Sequence, residues 1–262
     1  MTTLGDIAAL AGRRITAMWR SPAKVIGVLM MPISMVLVLG YLFDGSIALP
    51  DGQRYVDYLT AGVAVQVGLA CVATSALGIA DDLRGGLADR FRSLPIRRSA
   101  VLFGHTISEL SLVAVGIAAT SGIAALLGWR IHASPLSAIA GFALLLLFSY
   151  GMLWVGVLIG LSIRGTEAIS STAAMIMVFG SFVSNAFVPL RGLPDWLATV
   201  SAWNPVSSVV AACRTLWGNP TVVTGTGFAE QHATLIAVAV LALVLLVTVT
   251  ASSRVYRRAV AG

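Results

Sequence analysis

Charge is what this sequence has least of. Of its 262 residues, 11% are Asp, Glu, Lys or Arg and 58% are hydrophobic, and the mean hydropathy is +0.92. A water-soluble domain carries roughly 25% charged residues, because its surface must hold water, so a soluble enzyme is excluded first. Lysine is reduced to Lys24, and no G-x-x-x-x-G-K-[ST] phosphate loop is present. The chain is therefore not expected to hydrolyse ATP by itself. Its three histidines, His105, His132 and His232, form no H-E-x-x-H pair, and its carboxylates do not cluster, which argues against a zinc hydrolase. Ser121-Gly122 lacks the rest of an intramembrane serine protease motif. Cys71 lies inside an apolar run and Cys213 outside one. The pair makes no disulfide framework and reads as two small buried residues.

What the chain does have is long apolar runs, at 25–43, 59–80, 101–128, 136–163, 168–188 and 233–252. One membrane crossing takes about 20 apolar residues. The expected fold class is thus all-α and integral to the membrane, a single transmembrane domain over 25–262 with six transmembrane helices. The third and fourth runs exceed the hydrocarbon thickness and are expected to tilt or to project past it. Pro32 is expected to kink the first. Upstream, residues 1–24 carry Asp6, Arg13, Arg14, Arg20 and Lys24, which does not fit a cleavable signal peptide. Leu4, Ile7, Ala8, Ala11, Ile15 and Met18 repeat at helical spacing, and Thr3 with Asp6 resembles a capping box. With Trp19 and its basic residues, this segment reads as an amphipathic interfacial helix on the inner membrane surface.

Basic residues sort by side. Thirteen of the seventeen fall in 1–24, 81–98, the turn at 164–167 and the tail after 252, whereas Arg54, Arg130, Arg191 and Arg214 fall in the alternate connections. The positive-inside rule then places both termini in the cytoplasm, in agreement with an even number of crossings. The net charge of +6 is on this reading a record of membrane insertion rather than the mark of a nucleic-acid partner.

The longest connection, 189–231, is itself moderately apolar. Trp196, Trp203 and Trp217 alternate with Pro194, Pro205 and Pro220, which fits two short helices at 195–202 and 206–217. Tryptophan prefers the membrane interface. Residues 189–220 therefore read as a re-entrant helical hairpin dipping into the outer leaflet between spans five and six. Within the spans, the one ionisable carboxylate is Glu109, a turn after His105. Glu109, Ser149, Phe182 and Asn185 are the candidate residues of a substrate path, with helix packing as the plainer role for each. An ion-coupled carrier normally places more carboxylates at the midplane.

The most distinctive cytoplasmic segment is 81–99. Gly85-Gly86 permits a sharp turn, Leu87, Phe91 and Leu94 share one helical face among Asp89, Arg90 and Arg92, and Pro95 ends the helix. Such a helix, at 85–95, can dock in a partner's groove or lie on lipid headgroups. The text DDLRGGLADRFRSLPIRRSAVLFG, followed by HTISEL, resembles the loop after the second span in ABC-2 type permeases, specifically the daunorubicin-resistance (DrrB-like) membrane subunits. A second stretch, SNAFVPLRGLPDWLATVSAWNPVSSVV, is similar to that family's text after span five. It carries Phe187 and Pro189, then Pro194, Trp196 and Leu197, then Asn204 and Pro205.

The resemblance implies an exporter half of the ABC-2, or type V ABC exporter-like, fold in the plasma membrane. Two permeases, identical or sister copies, would pair with two ATP-binding cassette ATPase subunits. ATP and Mg would sit on those partners, with no cofactor on this chain. Gly86, Asp89, Arg90, Phe91, Leu94 and Pro95 would form the coupling helix that contacts the ATPase. Asp81, Asp82 and Arg84 stand where many broader members have Arg-Glu-rich text, so the salt-bridge partners on the ATPase are not carried over. The cargo would be an amphipathic drug or lipid-like molecule, as in antibiotic resistance and multidrug efflux, met in contact with membrane lipid. An ion-coupled secondary carrier and a non-transport membrane scaffold are the alternatives.

Overall fold

The computed structural model describes residues 22–43, 54–84, 98–188, 194–221 and 232–261, together with positions 12, 15 and 45. Nearly all of the expected N-terminal surface helix lies outside the described residues. So do the expected 85–95 helix, with all six of its coupling residues, and Pro189. Among the described residues there are eight α-helices: α1 Pro22–Leu42, α2 Tyr55–Arg84, α3 Arg98–Leu126, α4 Pro135–Ser162, α5 Thr166–Phe182, α6 Asp195–Trp203, α7 Pro205–Trp217 and α8 Ala233–Ala261.

Local chemistry marks several helix ends. The Ser134 hydroxyl accepts the Ser137 N–H at 3.3 Å with Pro135 in the first helical position, which starts α4. Asn204 does the same for α7, its Oδ1 taking the Val206 N–H at 2.9 Å ahead of Pro205. At the other end of α7, Gly218 adopts a left-handed φ of 68° and the Asn219 N–H returns to the Arg214 carbonyl at 2.9 Å. That geometry satisfies a terminal carbonyl and stops the helix. α2 carries Asp57 in its first turn and Arg84 in its last, the polarity the helix dipole favours. α1 is continuously helical with Pro32 inside it.

α2 is the central post. It is buried without interruption from Tyr55 to Leu69, and its most extensive partner is α4. The two backbones nearly touch. A Cβ on Gly156 would come within 2.5 Å of the Val72 carbonyl oxygen, and one on Gly160 would overlap that of Ala76. Ser75 Oγ donates to the Leu153 carbonyl at 2.9 Å across the same seam. Close approach of small residues with interhelical hydrogen bonds is how helices associate when lipid removes the hydrophobic drive between them. α3, α5, α1 and α7 pack around the rest of α2, and α8 lies against α4 and α7.

Among the described residues, four helices are long and apolar enough to cross a membrane: Tyr55–Arg84, Val101–Leu126, Pro135–Ser162 and Ala233–Tyr256. α1 contributes a shorter apolar stretch, Leu29–Leu42, and α5 has 17 residues. Bands of large apolar side chains face outward, including Met175, Val178, Phe179 and Phe182 on α5 and Leu243, Leu246 and Val247 on α8. Exposed apolar surface on that scale marks contact with lipid or with another protein. Both cysteines are free and buried.

Candidate functional site

The apolar run 168–188 continues past Val183, yet α5 ends at Phe182. Residues 183–188 are not helical, and ending a helix inside an apolar bundle frees carbonyls that cost several kcal/mol each if left unpaired in lipid. Here three consecutive carbonyls each receive a side-chain donor. The Tyr58 hydroxyl donates to the Asn185 carbonyl at 2.7 Å, Arg214 Nη2 to that of Ala186 at 2.9 Å, and the Tyr55 hydroxyl to that of Phe187 at 2.8 Å. The freed amides are served as well. The Asn185 N–H donates to Ser207 Oγ at 3.1 Å and the Ala186 N–H to Ser184 Oγ at 3.2 Å. Asn204 Nδ2 closes the segment from below, donating to the carbonyls of Val183 and Gly180.

Arg214 is the unusual member. It is 1% exposed, its Nε donates to the Tyr58 carbonyl at 3.0 Å, and its guanidinium carbon lies 3.4 Å from the centroid of the Tyr58 ring. Among the described residues its partners are carbonyls and an aromatic ring rather than a carboxylate. One side chain of α7 thus bridges α2 and the non-helical segment. Gly62 makes room for this, since a Cβ there would overlap the Ala186 carbonyl.

A second network fixes the C-terminal end of α7, one turn beyond Arg214. Trp129 Nε1 donates to Asn219 Oδ1 at 2.9 Å, Asn219 Nδ2 to the Arg130 carbonyl at 2.8 Å, and the His132 N–H to the Trp217 carbonyl at 2.9 Å. α7 is thereby tied to the α3–α4 connection as well as to α2.

The candidate path residues fall in separate places. Asn185 lies in the clasped segment, and Phe182 precedes it, largely exposed, with its ring 5.8 Å from that of Phe187. Asn204 and Pro205 begin α7 beside them, while Pro194 precedes α6 and Trp196 stands exposed on it. Ser149 lies elsewhere, beside Cys71, whose thiol reaches the Ser149 carbonyl at 3.6 Å, and Glu109 is on α3. Cys71 is thirteen residues along α2 from Tyr58, about 20 Å at helical rise. Ser149 Oγ itself bonds back to the Leu145 carbonyl at 2.8 Å in the α2–α4 seam, which is a packing role. Tyr55, Tyr58, Gly62 and Arg214 were not singled out by sequence reasoning as path or site residues. The signal available for Arg214 was an arginine set among Val209, Val210, Cys213 and Trp217, where an ionisable group needs a partner.

The family model described as ABC-2 type transporter matches residues 6–217, well over half of the chain. The chain belongs to the ABC-2 type transporter family. It is similar to the daunorubicin resistance ABC transporter permease protein DrrB1 of Streptomyces coeruleorubidus, 27% identical over 209 residues that cover 77% of this chain and 74% of the relative. The ycf38 chain of Porphyra purpurea is 23% identical over 219 residues, covering 82% and 74%. That of Pyropia yezoensis is 24% identical with the same coverage. The protein is accordingly a multi-pass membrane subunit of an ABC transporter, and ABC-2 permeases work with an ATP-binding subunit.

Proposed function

We propose that this ABC-2 permease is the membrane-spanning half of an ATP-driven exporter in the plasma membrane. It moves an amphipathic drug or lipid-like molecule outward while a separate ATPase subunit binds ATP and Mg. In this reading the chain crosses the membrane six times with both termini in the cytoplasm. α1, with 21 residues, is about 32 Å long. α5, with 17 residues, reaches about 26 Å, and the 183–188 segment carries the chain onward to the far interface. α6 and α7 form the outer re-entrant hairpin, with Trp196 and Trp203 exposed on one face of α6 as interfacial anchors.

The observation that carries the reading is the continuous family match from residue 6 to residue 217, because it takes in both the basic 81–98 segment and the α6–α7 pair. Gly86, Asp89, Arg90, Phe91, Leu94 and Pro95 are proposed as the coupling contact with the ATPase, and residues 1–24 as the surface helix beside it. A second permease copy, identical or sister, completes the pathway. The drug-resistance permease among the relatives makes daunorubicin the first cargo to try.

Co-purification tests the partner. The wild-type chain should bring down an ATP-binding subunit in about equal copy number. Arg90→Glu with Phe91→Asp should abolish that association while the protein still inserts in the membrane. Undiminished association in the double variant removes the coupling-helix assignment. Uptake into vesicles driven by a proton gradient, with no ATPase present, would support the ion-coupled carrier instead.

A further inference from the structure

Arg214 is costly for what it does in stability alone. A buried cation whose partners among the described residues include no carboxylate loses most of its hydration, and a neutral donor would satisfy the Ala186 carbonyl more cheaply. What the guanidinium adds is reach. From α7 it holds the Tyr58 carbonyl and the Ala186 carbonyl at once, with its charge over the Tyr58 ring. These bonds are individually exchangeable, unlike the α2–α4 seam, where backbone meets backbone at Gly156 and Gly160. α5 contacts mainly α2 and only slightly α4 and α7, so its connection to the rest of the bundle rests on α2 and on this clasp. α7, in contrast, is also fixed to the α3–α4 connection, one turn beyond Arg214, through Trp217 and Asn219.

We propose that Arg214 is a positioning residue for transport: its clasp on residues 185–187 latches the end of α5 to α2 and α7, and the ATP-driven stroke releases it. The proposal rests on the exporter reading above, in which this end of the bundle faces outside. The 183–188 segment is then the seam at which α5 parts from a body made of α2, α4 and α7. Gly62 lets the latch close fully, because the Ala186 carbonyl occupies the place a larger residue would need.

The test is amide hydrogen exchange on the permease–ATPase complex in lipid nanodiscs, without nucleotide and with ATP trapped by vanadate. The reporters are the amides of Asn185 and Ala186, which donate to Ser207 and Ser184. In the wild-type complex they should exchange at least about tenfold faster in the trapped state. Arg214→Gln should make them fast in both states, while Arg214→Lys, which keeps a charge and a donor, retains a nucleotide response. Gly62→Ala should also give fast exchange without nucleotide. Amides of α2 and α4 should be unchanged throughout.

A wild-type complex in which other permease segments respond to ATP but 185–186 do not overturns the latch alone. One in which no segment responds overturns the exporter reading and the latch with it. Wild-type rates in Arg214→Gln, or exchange raised across α2 and α4 in both Arg214 variants, make the residue irrelevant or merely structural and overturn the proposal as well.

Discussion

The guanidinium of Arg214 lies 3.4 Å from the centroid of the Tyr58 ring while its Nε donates to the carbonyl of the same residue at 3.0 Å. Tyr58 therefore holds the cation with both ring and backbone, and its hydroxyl holds the Asn185 carbonyl besides. The two roles of the side chain separate by substitution. Tyr58→Phe keeps the ring and leaves one carbonyl unpaired, a loss of about 1–2 kcal/mol. Tyr58→Leu removes the ring too, and a desolvated cation–π contact contributes about 2 kcal/mol. Thermal unfolding of the purified protein should show Leu well below Phe; equal melting temperatures would mean that the ring does not support Arg214.

Glycine substitutions should divide by what lies opposite. At Gly156 and Gly160 an added methyl group meets the α2 backbone, which has nowhere to move. Each Ala variant should lose about 1–3 kcal/mol, as overpacked cores do. Gly122, inside α3, faces open space, and Gly122→Ala should be neutral or gain up to about 1 kcal/mol from helix propensity. Melting temperatures of the three variants check the ordering, and a loss at Gly122 matching that at Gly160 contradicts it.

Asn219 serves two partners, the Trp129 indole N–H and the Arg130 carbonyl. Asn219→Ala strands both in a largely buried setting, and about 2–4 kcal/mol should be lost. The Trp129 environment should become more polar, visible as red-shifted tryptophan emission. Unchanged emission with unchanged stability would show that the α3–α4 connection does not depend on this clip.

Gln66 is 5% exposed, and its Oε1 is buried with no hydrogen-bond partner among the described residues. It stands between Gly62, which faces the Ala186 backbone, and Leu69, which faces Gly180, so it belongs to the α2 face turned to α5. An unpaired buried acceptor costs about 1–3 kcal/mol. Gln66→Met, of similar length, should raise the melting temperature by several degrees. A fall instead would show that the amide is paired in the membrane.

Much of the helical framework was legible beforehand. Composition alone removes the soluble classes. The apolar runs at 136–163 and 168–188 sit beside α4, Pro135–Ser162, and α5, Thr166–Phe182. Even the short α6 and α7 follow from prolines and tryptophans, since Pro205 after Asn204 suits the first position of a helix with an asparagine cap. Asn204 emerged from a pattern match and turned out to have two jobs, capping α7 and closing the α5 break.

Arg214 was less legible. In the sequence it is one of four basic residues in the segments assigned outside, and nothing in its immediate neighbours supplies a counter-charge. Its partners come from Tyr58, 156 positions away, and from Ala186, 28 positions away. Ser149 reads as a polar residue in an apolar run, but sequence distance could not reveal that it lies beside Cys71 rather than near Asn185.

The sequence by itself determined what is set by local and average properties: a membrane solvent, helices of given length, and a chain too poor in charge to live in water. The tertiary structure decided where α5 stops. Nothing between Thr166 and Val188 forbids a longer helix. The helix ends at Phe182 because Tyr55, Tyr58 and Arg214 bring donors to three carbonyls at once. A backbone can leave its own hydrogen bonds in an apolar setting only where other elements replace them.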